Sequence, residues 1–451
     1  MISRPLYIAF LYYLVLEGAI RKWVWPEASN ELFLVKDVIL GMALVAALAL
    51  ERRYFLHQAL AVYRPGEMLI WQAWVLLAIV GAAASGMSLS GLAGLRYYLA
   101  ALPVLVLQPM AAPTLRRLEQ LLSVYVLVCF AVCILGIVQF MSPPDSILNR
   151  YSWSDTSGID VATFGEISEQ TSFMRFTYVR IVGTFSYISP YASYLQFAFF
   201  VTIALALTAT SERSRILFAV VLLFIVVNLF MTGSRASVIT CLFLSVLFVP
   251  SARKVLKGRF AFIGVLGSAA AIGGGLWILQ SVIVALAERH ELAGDANARI
   301  YGTLFLPIFT FLESPIIGEG VGTTFLGLGQ LTGSDVFQYN FDEVFQDRLA
   351  VEVGIFGYAF FVFVKLYFLW ATFSLFRRTT NLEIRVWALV SLSYQASLLW
   401  AIPIYNSVAN VFYFVCIALF AWLRRLDRGN RRVDEGRSGA IPAVGVSRAG
   451  R

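Results

Sequence analysis

The chain has 451 residues, of which 59% are hydrophobic, 15% aromatic and only 14% charged. Soluble domains carry roughly 25% charged residues, so this composition excludes a water-soluble fold and predicts an all-α, polytopic membrane protein. The net charge of +8 does not point to nucleic acid, because most basic residues sit in short connections and in the tail, where they act as topology signals.

In chain order, apolar windows of about 20 residues predict about twelve transmembrane helices. They lie near residues 5–20, 31–50, 67–86, 91–109, 119–141, 186–208, 215–231, 235–250, 260–285, 350–373, 384–402 and 406–423. Arg4, Arg52-Arg53-Arg64, Arg116-Arg117, Arg213-Arg215, Arg253-Lys254-Lys257-Arg259, Arg377-Arg378-Arg385 and the tail from Arg424 fall in every second connection. The positive-inside rule then predicts that both termini are cytoplasmic. Arg21-Lys22 is the main departure from this alternation. The first apolar run has no small-residue cleavage site, so a cleaved leader is not expected.

Two predicted outward connections are long, 142–185 and 286–349, and long polar-aromatic loops are where function concentrates. The second holds an apolar stretch, 298–311, too short to span and read as an interfacial helix, followed by a glycine-rich turn. The expected organisation is a membrane domain over 1–424 and a disordered, basic cytoplasmic tail over 425–451. Cys129, Cys133, Cys241 and Cys416 all lie in apolar runs and read as packing residues.

The most informative stretch is Thr232-Gly233-Ser234-Arg235-Ala236-Ser237, wedged between two apolar runs. Arg235 opens a predicted helix, where free backbone N–H groups and the helix dipole already favour an anion. Its guanidinium adds a permanent charge and a fork shaped for phosphate, and Gly233-Ser234 fits a tight turn and N-cap. Arg180 and Arg299 have similar settings on the same predicted side, so the three suggest a diphosphate site. Each alone also fits a headgroup anchor or a loop salt bridge.

A general base is less distinct. His57 falls in an inner loop and His290 in an outer one, while 340–348 places Asp342, Glu343 and Asp347 beside Arg348 just before a membrane entry. A half-buried carboxylate there suits proton abstraction, and a self-paired charge cluster is the competing reading. There is no P-loop, dinucleotide fingerprint or zinc spacing, so no cofactor or metal is expected and any group transfer takes its energy from an activated donor.

These residues resemble the O-antigen polymerase and O-antigen ligase superfamily of bacterial envelope membrane enzymes, most clearly over 180–357. Arg180, Gly183-Thr184-Phe185 and Pro190 are similar to the family's Arg-x-x-Gly-Thr-Phe segment, and Gly233-Ser234-Arg235-Ala236 to its Ser-Arg-Gly/Ala signature. Arg299 leading to Pro315-Ile316-Ile317-Gly318-Glu319-Gly320-Val321-Gly322 resembles its Pro-hydrophobic-Gly-x-Gly run. Glu352-Val353-Gly354-Ile355-Phe356-Gly357 looks like its Glu-x-Gly-x-x-Gly span start. The segment 17–26 is also similar to relatives of the family, without an attached role.

The resemblance implies a metal-independent glycosyltransferase of the bacterial inner membrane, working on the periplasmic face. Its donor would be an undecaprenyl-diphosphate-linked oligosaccharide, with membrane lipids, a chain-length regulator and a flippase as neighbours. Arg180, Arg235 and Arg299 would be the diphosphate ligands, and a base would activate an acceptor hydroxyl for inverting attack. Ligases of the family carry a histidine ten to eleven residues before the Gly-x-x-Gly pair, where this chain has Glu343-Val344. That departure favours a polymerase of O-antigen, capsule or exopolysaccharide repeats over a ligase, with Glu343 or Asp342 as the base. Ligase-type transfer to another acceptor and a non-catalytic role in polysaccharide export stay open. So does a bicarbonate-carrier-like transporter, with Lys36, Asp37, Arg96 and Lys365 along a path.

Overall fold

The computed structural model describes residues 2–56, 60–143, 146–150, 179–255, 316–324 and 345–439. Their regular structure is helical throughout. The main helices are α1 (Ser3–Ala19), α2 (Ser29–Leu50), α3 (Pro65–Ala84), α4 (Leu89–Leu99), α5 (Pro103–Ala111), α6 (Leu115–Met141) and α7 (Ile188–Thr208). They continue with α8 (Glu212–Met231), α9 (Arg235–Ser245), α10 (Val249–Val255), α11 (Phe345–Arg378), α12 (Leu382–Ser397) and α13 (Ser407–Gly439). Among the described residues nine helical stretches are long and apolar enough to cross a membrane, in agreement with an all-α polytopic membrane protein. Helices α1 and α12, of 17 and 16 residues, occupy two further expected spans, and the expected span 260–285 lies outside the described residues.

Local chemistry sets the helix starts. Ser88, Thr114, Ser211 and Asn381 each accept a bond from a first-turn backbone N–H and so cap α4, α6, α8 and α12. Pro103 cannot donate to the preceding turn, and the span expected at 91–109 turns there, between α4 and α5.

Helices α7 and α13 form the centre, with 83% and 94% of their apolar windows buried inside the protein. Aromatic rings lock them together: Phe197 stacks on Phe412 at 4.3 Å, and Tyr125, Tyr194 and Tyr394 pack around that pair. The outer helices instead expose Leu69, Ile239, Phe243 and Trp370, the surface expected against lipid.

Side-chain bonds identify the two ends of the bundle. At the arginine-rich end Ser3 Oγ donates to Glu51 at 2.6 Å, Arg424 pairs with buried Glu67, and Thr379 Oγ1 donates to Asp427 at 2.6 Å. These contacts explain a difference from expectation: α13 runs past Arg424 to Gly439, where the composition suggested a disordered tail. Asp427 is buried, and Arg431 holds it at 2.9 Å while also donating to the Arg378 carbonyl. Residues 440–451 lie outside the described part. The opposite end is rich in glycine and carries the candidate site.

Candidate functional site

Three segments converge at the glycine-rich end. The first joins the two arginine motifs that the described residues include. Ile181 N–H donates to the Met231 carbonyl at 3.3 Å, and Arg180 Nε donates to the Thr232 carbonyl at 3.1 Å. The turn is made by Gly233 at φ 67°, in the left-handed region that only glycine adopts freely. Ser234 occupies the N-cap position of α9 but does not cap it, because its hydroxyl pairs with that of Ser237 at 2.8 Å. The first N–H groups of α9 therefore lack the side-chain cap expected from Gly233-Ser234. Arg235, the first residue of this helix, is exposed and has no ion-pair partner among the described residues. Arg180 is half-buried on the same turn. Arg299, Asp342, Glu343, His57 and His290 lie outside the described residues.

The second segment is the clamp that holds Arg180 in place. Lys22 is buried in a π-helical turn, Ile20–Val24, and donates to the carbonyls of Gly183 at 3.2 Å and Phe185 at 2.7 Å. Burial pushes its ammonium down to about 7. Gln139 takes the other polar groups of the same loop, accepting from Gly183 N–H at 2.8 Å and donating to its carbonyl at 3.0 Å. Thr184 donates to the Val15 carbonyl at 2.6 Å, over Gly18, where a Cβ would lie 2.3 Å from the Thr184 oxygen. Segment 17–26, which carries no expected role, is thus the brace of the Arg180 loop. Its basic pair departs from the topology pattern for a physical reason. Lys22 is spent on carbonyls and Arg21 on Glu17 at 3.2 Å, so neither is a free surface charge.

The third segment is the glycine-rich loop 316–324. Gly318, Gly320 and Gly322 have φ of 83°, 109° and 83°. Helix α11 breaks at Gly354 (φ 61°, ψ −172°), and the carbonyls freed there accept from the loop. Glu319 N–H reaches the Val351 carbonyl at 2.8 Å and Gly320 N–H that of Glu352 at 3.1 Å. On its other side Val321 N–H donates to the Gly81 carbonyl at 3.1 Å. Two of the sequence motifs, the Gly-x-Gly run and the Glu-x-Gly span start, therefore pack directly on each other. Beneath them Glu352 is fully enclosed and accepts from Thr324 at 2.5 Å, Tyr405 at 2.9 Å and Tyr98 at 3.1 Å. Arg348, one turn before it, donates to the Thr324 carbonyl at 2.7 Å and lies 4.3 Å above the Tyr405 ring.

Arg348 and Glu352 were not among the expected site residues. Their spacing of four on one helix, just before a glycine that breaks it, is the signal that would have found them. The residues of the transport reading each have a partner: Lys36 bonds Glu17 at 2.6 Å and Arg96 bonds Asp37 at 2.5 Å. Lys365 donates to the carbonyls of Leu398, Leu399 and Ala401 at 2.6, 2.7 and 2.6 Å, closing the end of α12. The four cysteines are buried and free, as packing residues would be.

None of the family models, curated proteins or solved structures compared with the chain matches it.

Proposed function

We propose that this protein is a polysaccharide polymerase of the bacterial inner membrane, which joins undecaprenyl-diphosphate-linked repeat units on the periplasmic face. The observation that carries this reading is the 3.1 Å bond from Arg180 to the Thr232 carbonyl, which brings one arginine segment onto the turn that presents the other. Arg235 then stands exposed at an uncapped helix start, where backbone N–H groups and a fork of guanidinium donors favour the same phosphate oxygens.

In the proposed reaction Arg180, Arg235 and Arg299 hold the diphosphate and stabilise the charge that builds up on it as it leaves. Glu343 or Asp342 takes the proton from the acceptor hydroxyl, whose oxygen attacks the anomeric carbon with inversion. The carbon–oxygen bond to the diphosphate breaks, and undecaprenyl diphosphate departs with the bonding pair. Transport is the weaker reading, because Lys36, Asp37, Arg96 and Lys365 are held by ion pairs or helix-end carbonyls.

Glycan profiling of a deletion strain tests the proposal. Long envelope polysaccharide is expected to vanish while single lipid-linked repeats accumulate. Long polymer persisting on undecaprenyl diphosphate but failing to reach its final acceptor would point to a ligase instead. An unchanged glycan profile would remove the envelope reading.

A further inference from the structure

At the arginine-rich end of the bundle the last turns of α11 carry an open recess on the lipid-facing surface, to which Trp370, Phe373, Ser374, Arg377 and Arg378 contribute. We propose that this recess binds an anionic phospholipid, with its phosphate on Ser374, Arg377 and Arg378 and an acyl chain along Trp370.

Charge decides the class. Both arginines are exposed, and neither has a carboxylate within ion-pair distance among the described residues. The buried carboxylates of this end are already engaged, Glu67 by Arg424 and Asp427 by Arg431 and Thr379. Two permanent positive charges therefore stand uncompensated on one turn, each with a fork of donors suited to phosphate oxygens. Their backbone is held in register. Arg431 donates to the Arg378 carbonyl at 2.8 Å, which closes the end of the helix from a neighbouring one. Arg377 lies 5.8 Å from the centre of the Phe373 ring, a cation–π contact that turns its guanidinium back along the same face.

Ser374 supplies the independent observation. It sits three and four positions before the two arginines, so the hydroxyl and both guanidiniums share one face. Thr372, two positions earlier, returns its hydroxyl to the Phe368 carbonyl at 2.7 Å, whereas Ser374 bonds nothing among the described residues. A cation in the last turn is explained by the helix dipole alone. A half-buried hydroxyl left open beneath two unpaired cations is not.

The apolar half of the ligand follows from the same face. Phe363, Leu366 and Trp370 are 51%, 49% and 69% exposed and line up below Ser374 at spacings of three and four. From Phe363 to Ser374 the helix rises about 16 Å, close to half of the roughly 30 Å hydrocarbon core, the depth of one leaflet. A free phosphate would use the arginines and leave this stripe without a role; a phospholipid uses both. The proposal is independent of the polymerase reading, since it concerns the opposite end of the bundle from the glycine-rich site.

The test is native mass spectrometry of the full chain released from phosphatidylcholine nanodiscs with a rising fraction of phosphatidylglycerol. Wild-type protein is expected to retain phosphatidylglycerol saturably and in preference to phosphatidylcholine. The double variant Arg377→Ala/Arg378→Ala is expected to retain one phosphatidylglycerol fewer per chain at an unchanged melting temperature, because neither side chain holds a structural hydrogen bond. Arg52→Ala/Arg53→Ala removes the same charge from another exposed pair and is expected to retain the wild-type number. Ser374→Ala is expected to need at least twice the phosphatidylglycerol fraction for equal occupancy. Equal retention of the two lipids, retention that never saturates, the same loss in both arginine doubles, or wild-type retention in Arg377→Ala/Arg378→Ala or Ser374→Ala would overturn the proposal.

Discussion

Arg235→Ala is expected to abolish long polysaccharide in a complemented deletion strain, while the protein remains in the membrane at wild-type levels. The side chain is exposed and pairs with nothing among the described residues, so its removal is expected to change stability by no more than about 0.5 kcal/mol. Its loss would instead be felt where charge develops. Removing one preorganised donor from a transition-state anion costs roughly 100-fold or more in rate. Arg235→Lys separates charge from shape: lysine keeps the cation but not the two-pronged fork, so partial polymer of reduced length is expected. Glycan electrophoresis with a blot for protein level reads both outcomes. Normal polymer from a well-expressed alanine variant would remove Arg235 from the site.

The second large effect is structural. Gly322→Ala is expected to prevent the glycine-rich loop from seating. A Cβ at this position would lie 2.0 Å from the Ser90 carbonyl oxygen and 2.9 Å from the Gly94 nitrogen, all of it backbone that has no rotamer to yield. The φ of 83° adds a left-handed strain of about 1–2 kcal/mol for any residue with a side chain. Overpacking adds roughly 1–3 kcal/mol more. The expected result is a lower melting temperature of the purified protein and loss of activity. Gly66→Ala is the matched control, because a Cβ there meets nothing within 4 Å and its φ is not left-handed. Equal melting temperatures for the two variants would mean that the loop is not wedged between α4 and α11.

The fold was legible where the physics is local. Apolar length located the helices, since a span must satisfy its backbone internally and must be long enough to cross. The break at Gly354 was not legible from hydropathy, because α11 remains apolar through it. What breaks the helix is the tertiary exchange of the Val351 and Glu352 carbonyls to the Gly318–Gly320 turn. The helical extension of α13 was missed for a related reason: its basic composition reads as solvated tail, whereas Asp427 is bonded by Thr379 from a different helix.

The site was partly legible. The motifs around Arg180 and Arg235 stood out as charge placed next to apolar runs, and the structure brings them onto one turn. Lys22 and Gln139 were not legible, because both act on the backbone of Gly183, more than 40 positions away in sequence. Backbone acceptors carry no residue signature, so nothing in the sequence announces their partners. Ser234 is the instructive error: its place before Arg235 predicts a cap, but the neighbouring Ser237 hydroxyl competes for the same oxygen.

The most direct test of the account is reconstitution of the purified chain in liposomes with an undecaprenyl-diphosphate-linked oligosaccharide repeat and no nucleotide sugar or added metal. The account predicts one undecaprenyl diphosphate released for each new glycosidic bond, with products of two or more repeats still on a lipid anchor. Repeats left unjoined, with no undecaprenyl diphosphate released by a protein shown to be folded, would contradict it.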